Sequence, residues 1–287
     1  MSAITNLKVI RGGCRGVSRV IVSLFLSAAL LPGLASGANP IEPAPLPPAP
    51  GDPGPRPSID RSGVLQTRDG LTLHLSTDLG SVHIVTLDPG SPPVVRYTVH
   101  IETDARAPLA QSLLDHYSLT AKSTSSGVEI IGASPSRAGR GAANDQFYVQ
   151  FELAVPAGYN VDVNTGVGDI ETHDIGGTAS LITQGGNIRT GRIGYIGFRN
   201  AAQGRQVAKL STEGGHIQVQ DVSGNVDAFT AGGHIVAGNI SGDALLRSGG
   251  GHIRAGQISG RAQLETDGGN ITLKQAGSFI SVRTGGG

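Results

Sequence analysis

The chain has 287 residues with 22 basic and 22 acidic side chains, 44 glycines, no tryptophan and one cysteine. Four of the bases, Lys8, Arg11, Arg15 and Arg19, stand in the first 37 residues with no acid beside them, which leaves 18 bases against 22 acids in the remainder. A mildly acidic remainder lacks the basic stripe of a nucleic-acid binder, and Cys14, ahead of the first apolar run, leaves residues 38–287 without disulfide or thiolate chemistry.

Residues 1–37 read as a secretory signal. A basic region ends at Arg19, an apolar run follows from Val20 to Ala35, and Ala35-Ser36-Gly37 supplies a small-residue cleavage context. The run is shorter than the roughly 20 residues that span a bilayer, so membrane attachment is expected only through an uncleaved N-terminus. Residues 38–60 are dense in proline, from Pro40 to Pro57, and read as an extended linker.

Residues 61–163 are expected to form an irregular β region. Leu71–Thr77, Ser81–Leu87, Val94–Thr103, Val128–Ile131 and Gln146–Val155 have strand-like β-branched content or alternation. A short helix is predicted near Pro108–Tyr117, with Leu109, Leu113 and Tyr117 on one face. Ser134–Asn144 reads as a mobile loop.

Residues 164–287 repeat every 18 residues. Thr212-Glu213-Gly214-Gly215-His216-Ile217 returns from Thr230, from Ser248 and from Thr266. Counted from Gly214 as position one, the second position is Gly168, Gly186, Gly215, Gly233, Gly251 and Gly269. The fourth is Ile170, Ile188, Ile217, Ile235, Ile253 and Ile271. An insertion within Gly191–Lys209 widens one step. Positions 4, 6, 9, 13, 15 and 17 are apolar or threonine, which predicts two short strands per repeat with these columns inward. One repeat cannot bury its own apolar face, so copies must stack strand on strand. The expected fold is all-β: a single-stranded β-solenoid, or β-helix, of 18-residue coils. Its two turns, at Gly-Gly and at Ser-Gly, are expected to use positive φ. The same template fits Leu73, Leu75, Thr77, Gly80, Val82, Ile84 and Leu87, so the β region should carry the first coils and a cap.

These columns exclude two functional arrays of compatible length. A hexapeptide acyltransferase helix needs apolar residues every six positions, and a calcium-binding nonapeptide array needs carboxylates where this chain has isoleucine. Beyond the repeats, the run from Val155 to Thr165, then Gly168-Asp169-Ile170 and the Gly-Gly-x-Ile coils, resembles a bacterial family of exported β-strand-repeat proteins. That family is named for a presumed adhesin role and its domain has no known function. The resemblance covers roughly residues 61–287 and implies an extracytoplasmic β-solenoid in the periplasm, at the cell surface or secreted. It supplies no catalytic residues.

The third position carries His216, His234 and His252 on successive coils, between Asn187 and Asn270. Three stacked imidazoles are candidate ligands for zinc, nickel or copper. In-line stacking spaces their nitrogens poorly for tetrahedral ligation, so a solvated polar ladder is the favoured reading and no cofactor or metal is expected. The threonine column is read as structural. The acids Glu171, Asp174, Glu213, Asp221, Asp227, Asp243, Glu265 and Asp267 are scattered over several columns, with no pair set for acid–base work.

The expected function is that of a non-enzymatic envelope protein, adhesin-like or scaffolding, whose partner is a protein, a glycan or another envelope component. A carbohydrate-active β-helix enzyme and a plain envelope spacer are the alternatives. The chain stops at Gly285-Gly286-Gly287 within a coil, which suggests a truncated sequence or an end that pairs with another chain.

Overall fold

The first strand, β1 (Ser58–Gln66), starts inside the proline-rich stretch, so Ser58, Ile59 and Asp60 belong to a sheet and not to the linker. The computed structural model describes residues 56–105, 109–135, 147–195 and 205–287. The signal-like segment, most of the linker and most of the loop read at Ser134–Asn144 lie outside them. All the described residues belong to one unit, Gly51–Gly287.

After β1 come β2 (Thr72–Leu79), β3 (Ser81–Thr86), β4 (Val94–Thr103), the short helix α1 (Leu109–Asp115), β5 (Ser118–Thr124), β6 (Gly127–Ala133) and β7 (Phe147–Val155). The repeats then alternate between two sheets. β8 (Asn160–Val167), β10 (Ala179–Thr183), β12 (Gln206–Thr212), β14 (Asn225–Thr230), β16 (Ala244–Ser248), β18 (Ala262–Thr266) and β20 (Ile280–Thr284) lie in one. β9 (Ile170–Thr172), β11 (Ile188–Thr190), β13 (Ile217–Val219), β15 (Ile235–Ala237), β17 (Ile253–Ile258) and β19 (Ile271–Ala276) lie in the other.

Each sheet has ten strands. Their orders are β1-β4-β7-β3-β9-β11-β13-β15-β17-β19 and β20-β18-β16-β14-β12-β10-β8-β2-β6-β5. Within the repeats every pairing is parallel and, apart from a bulge at Gln206–Ala208 where β12 meets β14, joins equal positions of successive copies, as in Ile217↔Ile235 and Ala228↔Leu246. The ninth column adds single bridges from Ile175 through Ile193, Val222 and Ile240 to Ile258. The expected inward columns are buried: Ile217, Ile235, Ile253, Leu210 and Leu246 are at most 1% exposed. Side chains from both sheets form one cluster, and each buried isoleucine or leucine contributes about 2 kcal/mol by area removed from water. Ile271 is only half-buried, because β19 is an edge strand.

The copy read at Leu73–Leu87 is present in register from Leu73 to Ile84, while Leu87 lies just past β3 and outside the ninth-column bridges. Leu73, Leu75 and Thr77 pair with Val161, Val163 and Thr165, and Val82 and Ile84 pair with Ile170 and Thr172. A further copy was not legible. β6 lies parallel to β2 and β7 parallel to β3, so a later stretch of chain stacks ahead of an earlier one. Beyond it the pairing turns antiparallel, with β5 on β6 in one sheet and β4 then β1 on β7 in the other. Arg61 of β1 ties in the helix: its guanidinium donates to the carbonyl of Leu114 in the last turn of α1 at 3.1 Å and to that of Tyr117, just past the helix, at 2.7 Å.

The glycine and threonine columns have one joint explanation. The Thr230 hydroxyl donates to the Gly215 carbonyl at 2.7 Å and accepts from the Gly233 amide at 3.0 Å. Thr212, Ser248 and Thr284 repeat both bonds at their own turns. One hydroxyl thus clasps the glycine turns of two successive copies. That clasp draws the backbones so close that a Cβ on Gly233 would stand 1.9 Å from the Gly215 oxygen. The expectation of positive φ at these turns is corrected here. Gly168 has φ of 145° and Gly224 of 153°, but Gly186, Gly215, Gly233, Gly251 and Gly269 are not in that region. Their glycine is required by the close approach of neighbouring backbone.

Candidate binding face

The residues flanking each turn carry acceptors that reach the next copy. Asp174 Oδ1 accepts the Arg192 amide, Asp221 Oδ1 the Asn239 amide, and Asn239 Oδ1 the Gln257 amide, at 2.7 to 3.0 Å. At the twelfth position Asn160, Asn225 and Asp243 do the same for Thr178, Asp243 and Arg261. A turn amide that has no strand partner is satisfied by a side chain 18 residues before it.

The histidines belong to a third ladder of this kind. Asp169 Oδ1 accepts the Asn187 amide and Asn187 Oδ1 the His216 amide. Nδ1 of His216, His234 and His252 then accepts the amides of His234, His252 and Asn270 at 2.9, 2.8 and 2.9 Å. The rings stack 4.9 Å apart at 8° and 9°. One nitrogen of each ring is therefore engaged by backbone, and the parallel rings cannot converge on one ion. The structure brings the three candidates together as a ladder, in a geometry unsuited to chelation. Burial, with His216, His252 and Arg254 nearby, holds the His234 imidazole below its ordinary pKa.

The outer face of the first sheet carries a second set of polar groups that the column reading did not single out. Across β4, β7, β3, β9 and β11 the register aligns Thr98, Glu152, His83, Glu171 and Arg189. His83 thus has a glutamate on each neighbouring strand, and its ring lies 5.5 Å from that of His173. A hollow of about 330 Å³ opens here among His83, Val85, Arg96, Thr98, Glu152 and Ala154. A second, of about 480 Å³, opens among Glu171, His173, Asp174, Arg189 and Gln220. Both are shallow. At the rim of the second, Asp174 accepts from Arg192 Nε and Nη2 at 2.9 and 2.6 Å, and that guanidinium stands 4.9 Å over the Tyr195 ring. Burial raises the Asp174 carboxyl, but the bonds from Arg192 outweigh it and leave its pKa below the usual value.

Further along the same sheet His100 bridges two acids. Its Nε2 meets Glu102 at 2.8 Å and its Nδ1 meets Asp60. Glu102 first, then Asp60, raises its pKa above the ordinary imidazole value. Of the acids read as scattered, Glu171 and Asp174 line one hollow, while Asp227 pairs with Arg247 on the other sheet. The signal for His83 lay in the column alignment. It holds the fifth position of the outlying copy, which places it beside Glu171.

No family model matches this chain, and no curated protein matches it. Among solved structures it is similar to a candidate cell-adhesion protein from Clostridium sporogenes, at 7% identity and a TM-score of 0.31, over 79% of this chain and 100% of that one. It is similar to a candidate adhesin from Bacteroides fragilis, at 10% identity and a TM-score of 0.25, over 79% and 97%. A candidate lipid-binding protein from Parabacteroides distasonis has 11% identity and a TM-score of 0.25, over 78% and 96%. Among the described residues no helix is long and apolar enough to cross a membrane.

Proposed function

We propose that the two sheets are the walls of one β-solenoid, and that the chain works outside the cytoplasm as a non-enzymatic, adhesin-like binding or scaffolding protein of the cell envelope. Its partner is an envelope component, glycan or protein, held along the outer face of the first sheet. The supporting observation is two neighbouring open hollows on that face, one lined by His83, Arg96 and Glu152 and the other by Glu171, His173 and Arg189. Thr98, Glu152, His83, Glu171 and Arg189 offer donors and acceptors in line over five strands, and both hollows are open to solvent along that line. The basic and apolar N-terminal sequence supports export.

The test is binding of the purified chain to isolated envelope polysaccharides and envelope proteins. It should be run beside a variant with Glu152→Gln, His83→Ala and Arg189→Ala. Saturable binding lost in the variant supports the reading. Reproducible turnover of a polysaccharide, or binding unaffected by the three substitutions, overturns it.

A further inference from the structure

The side-chain ladders hold their amides with different chemistry. At the eighth and twelfth positions every acceptor is the oxygen of an asparagine or aspartate. At the third position the series begins with Asp169 and Asn187 and then changes to three imidazole nitrogens in a row. Asparagine does the same work without titrating. An aspartate keeps a carbonyl oxygen to accept with even when protonated. An imidazole does not: when Nδ1 takes a proton it becomes a second donor and faces the amide it had accepted.

We propose that His216, His234 and His252 form an acid-sensitive clasp between successive copies, closed at neutral pH and opened when the stack is protonated. Nδ1 accepts in all three, so the neutral rings carry the proton on Nε2, and the three tautomers are set by the backbone. Protonation would cost each copy an amide bond and would place like charges 4.9 Å apart. Both effects disfavour the imidazolium in the folded chain. The lowered pKa of His234 agrees with this.

The charged groups near the stack do not offset it. Arg189 and Arg254 stand in the neighbouring outward column, and Arg254 opposes a further positive charge on His234. Asp169 lies two copies before His216, Glu213 precedes the glycine pair of His216, and Asp267 precedes that of Asn270, one copy beyond His252. His234, at the centre, has Ala231 and Gly232 in the corresponding places.

The sign follows from linkage. A histidine held below its unfolded value near 6.5 stabilises the fold fully above that pH, and the contribution is lost as pH falls towards the folded value. Stability should therefore decline on acidification in the range just below 6.5. The decline should be concentrated at the His234, His252 and Asn270 amides.

The control is built into the column. His216→Asn, His234→Asn and His252→Asn together restore the acceptor already used at Asn187. Thermal melts and amide exchange of the whole chain would be compared at pH 7.5 and 5.5, with exchange rates corrected for intrinsic pH dependence. The wild type should lose roughly 5 °C more than the triple variant on acidification. Its amides at 234, 252 and 270 should lose at least tenfold in protection, while the threonine-held amides of Gly215 and Gly233 should not. His100, whose shift has the opposite sign, is common to both proteins and cancels. Equal acid sensitivity in the two proteins, or unchanged protection of the 234, 252 and 270 amides at pH 5.5 with His234 titrating at or above 6.5, would overturn the proposal.

Discussion

Gly232 and Gly233 are adjacent, chemically identical, and neither has the positive φ that favours glycine. The structure nevertheless predicts opposite outcomes when each becomes alanine. A Cβ on Gly232 would meet its nearest neighbour, the Gly214 oxygen, at 4.0 Å, which is an ordinary contact. A Cβ on Gly233 would stand 1.9 Å from the Gly215 oxygen and 2.5 Å from its carbon. That neighbour is backbone and cannot turn aside. Gly215 is also held by Thr230 and Thr212, and the strands that follow, β13 and β15, are paired on both sides. Relief requires two copies to part locally, breaking the Thr230 clasp. Overpacking of this kind costs 1–3 kcal/mol, and the lost hydroxyl bonds take the expected loss for Gly233→Ala to about 3 kcal/mol. In a chain with this much ordered structure that is roughly 6–12 °C of melting temperature. Gly232→Ala should stay within about 0.5 kcal/mol of wild type. Urea unfolding of both variants, read by far-ultraviolet circular dichroism, gives the comparison. Equal losses would refute the argument that close backbone approach selects the second glycine.

Thr230→Val keeps the shape and removes the hydroxyl, leaving the Gly215 carbonyl and the Gly233 amide without their partner. It should cost about 2–4 kcal/mol in urea unfolding, whereas Thr230→Ser, the residue already used at Ser248, should cost less than about 1.5 kcal/mol. His100 should titrate above 6.5 in a proton–nitrogen NMR series, and Glu102→Gln with Asp60→Asn should bring it back. Because its folded value is raised, its contribution to stability is complete below 6.5 and disappears as pH rises through the folded value.

The inward columns, the threonine column and the outlying copy at Leu73 were legible because each is a periodic demand of packing, and the register reproduces that copy from Leu73 to Ile84. Other elements left no such trace. β1 and β5 alternate only between exposed and half-buried positions, so their sequences, SIDRSGVLQ and SLTAKST, show no strong apolar period. The copy made by β6 and β7 has Gly132 opposite Thr77, where the template has a hydroxyl, and a Cβ there would stand 2.5 Å from the Tyr117 hydroxyl. Its place ahead of β2 and β3 is a matter of chain path, which a local pattern does not carry. The polar face was missed for a related reason. His83, Glu152 and Glu171 are far apart in sequence and become neighbours only once three copies are placed in spatial order.

The repeat itself can be tested by deletion. Removing residues 232–249 takes out 18 residues and should bring copies of equal register together, with the Thr230 hydroxyl meeting the Gly251 amide as it meets that of Gly233. Removing residues 232–240 takes out half a copy and should set strands of one sheet against turns of the other. The account predicts that the 18-residue deletion still folds and unfolds cooperatively, with a small loss of stability, and that the nine-residue deletion does not fold. Failure of the longer deletion, or equal tolerance of both, would contradict the claim that copies stack in register every 18 residues.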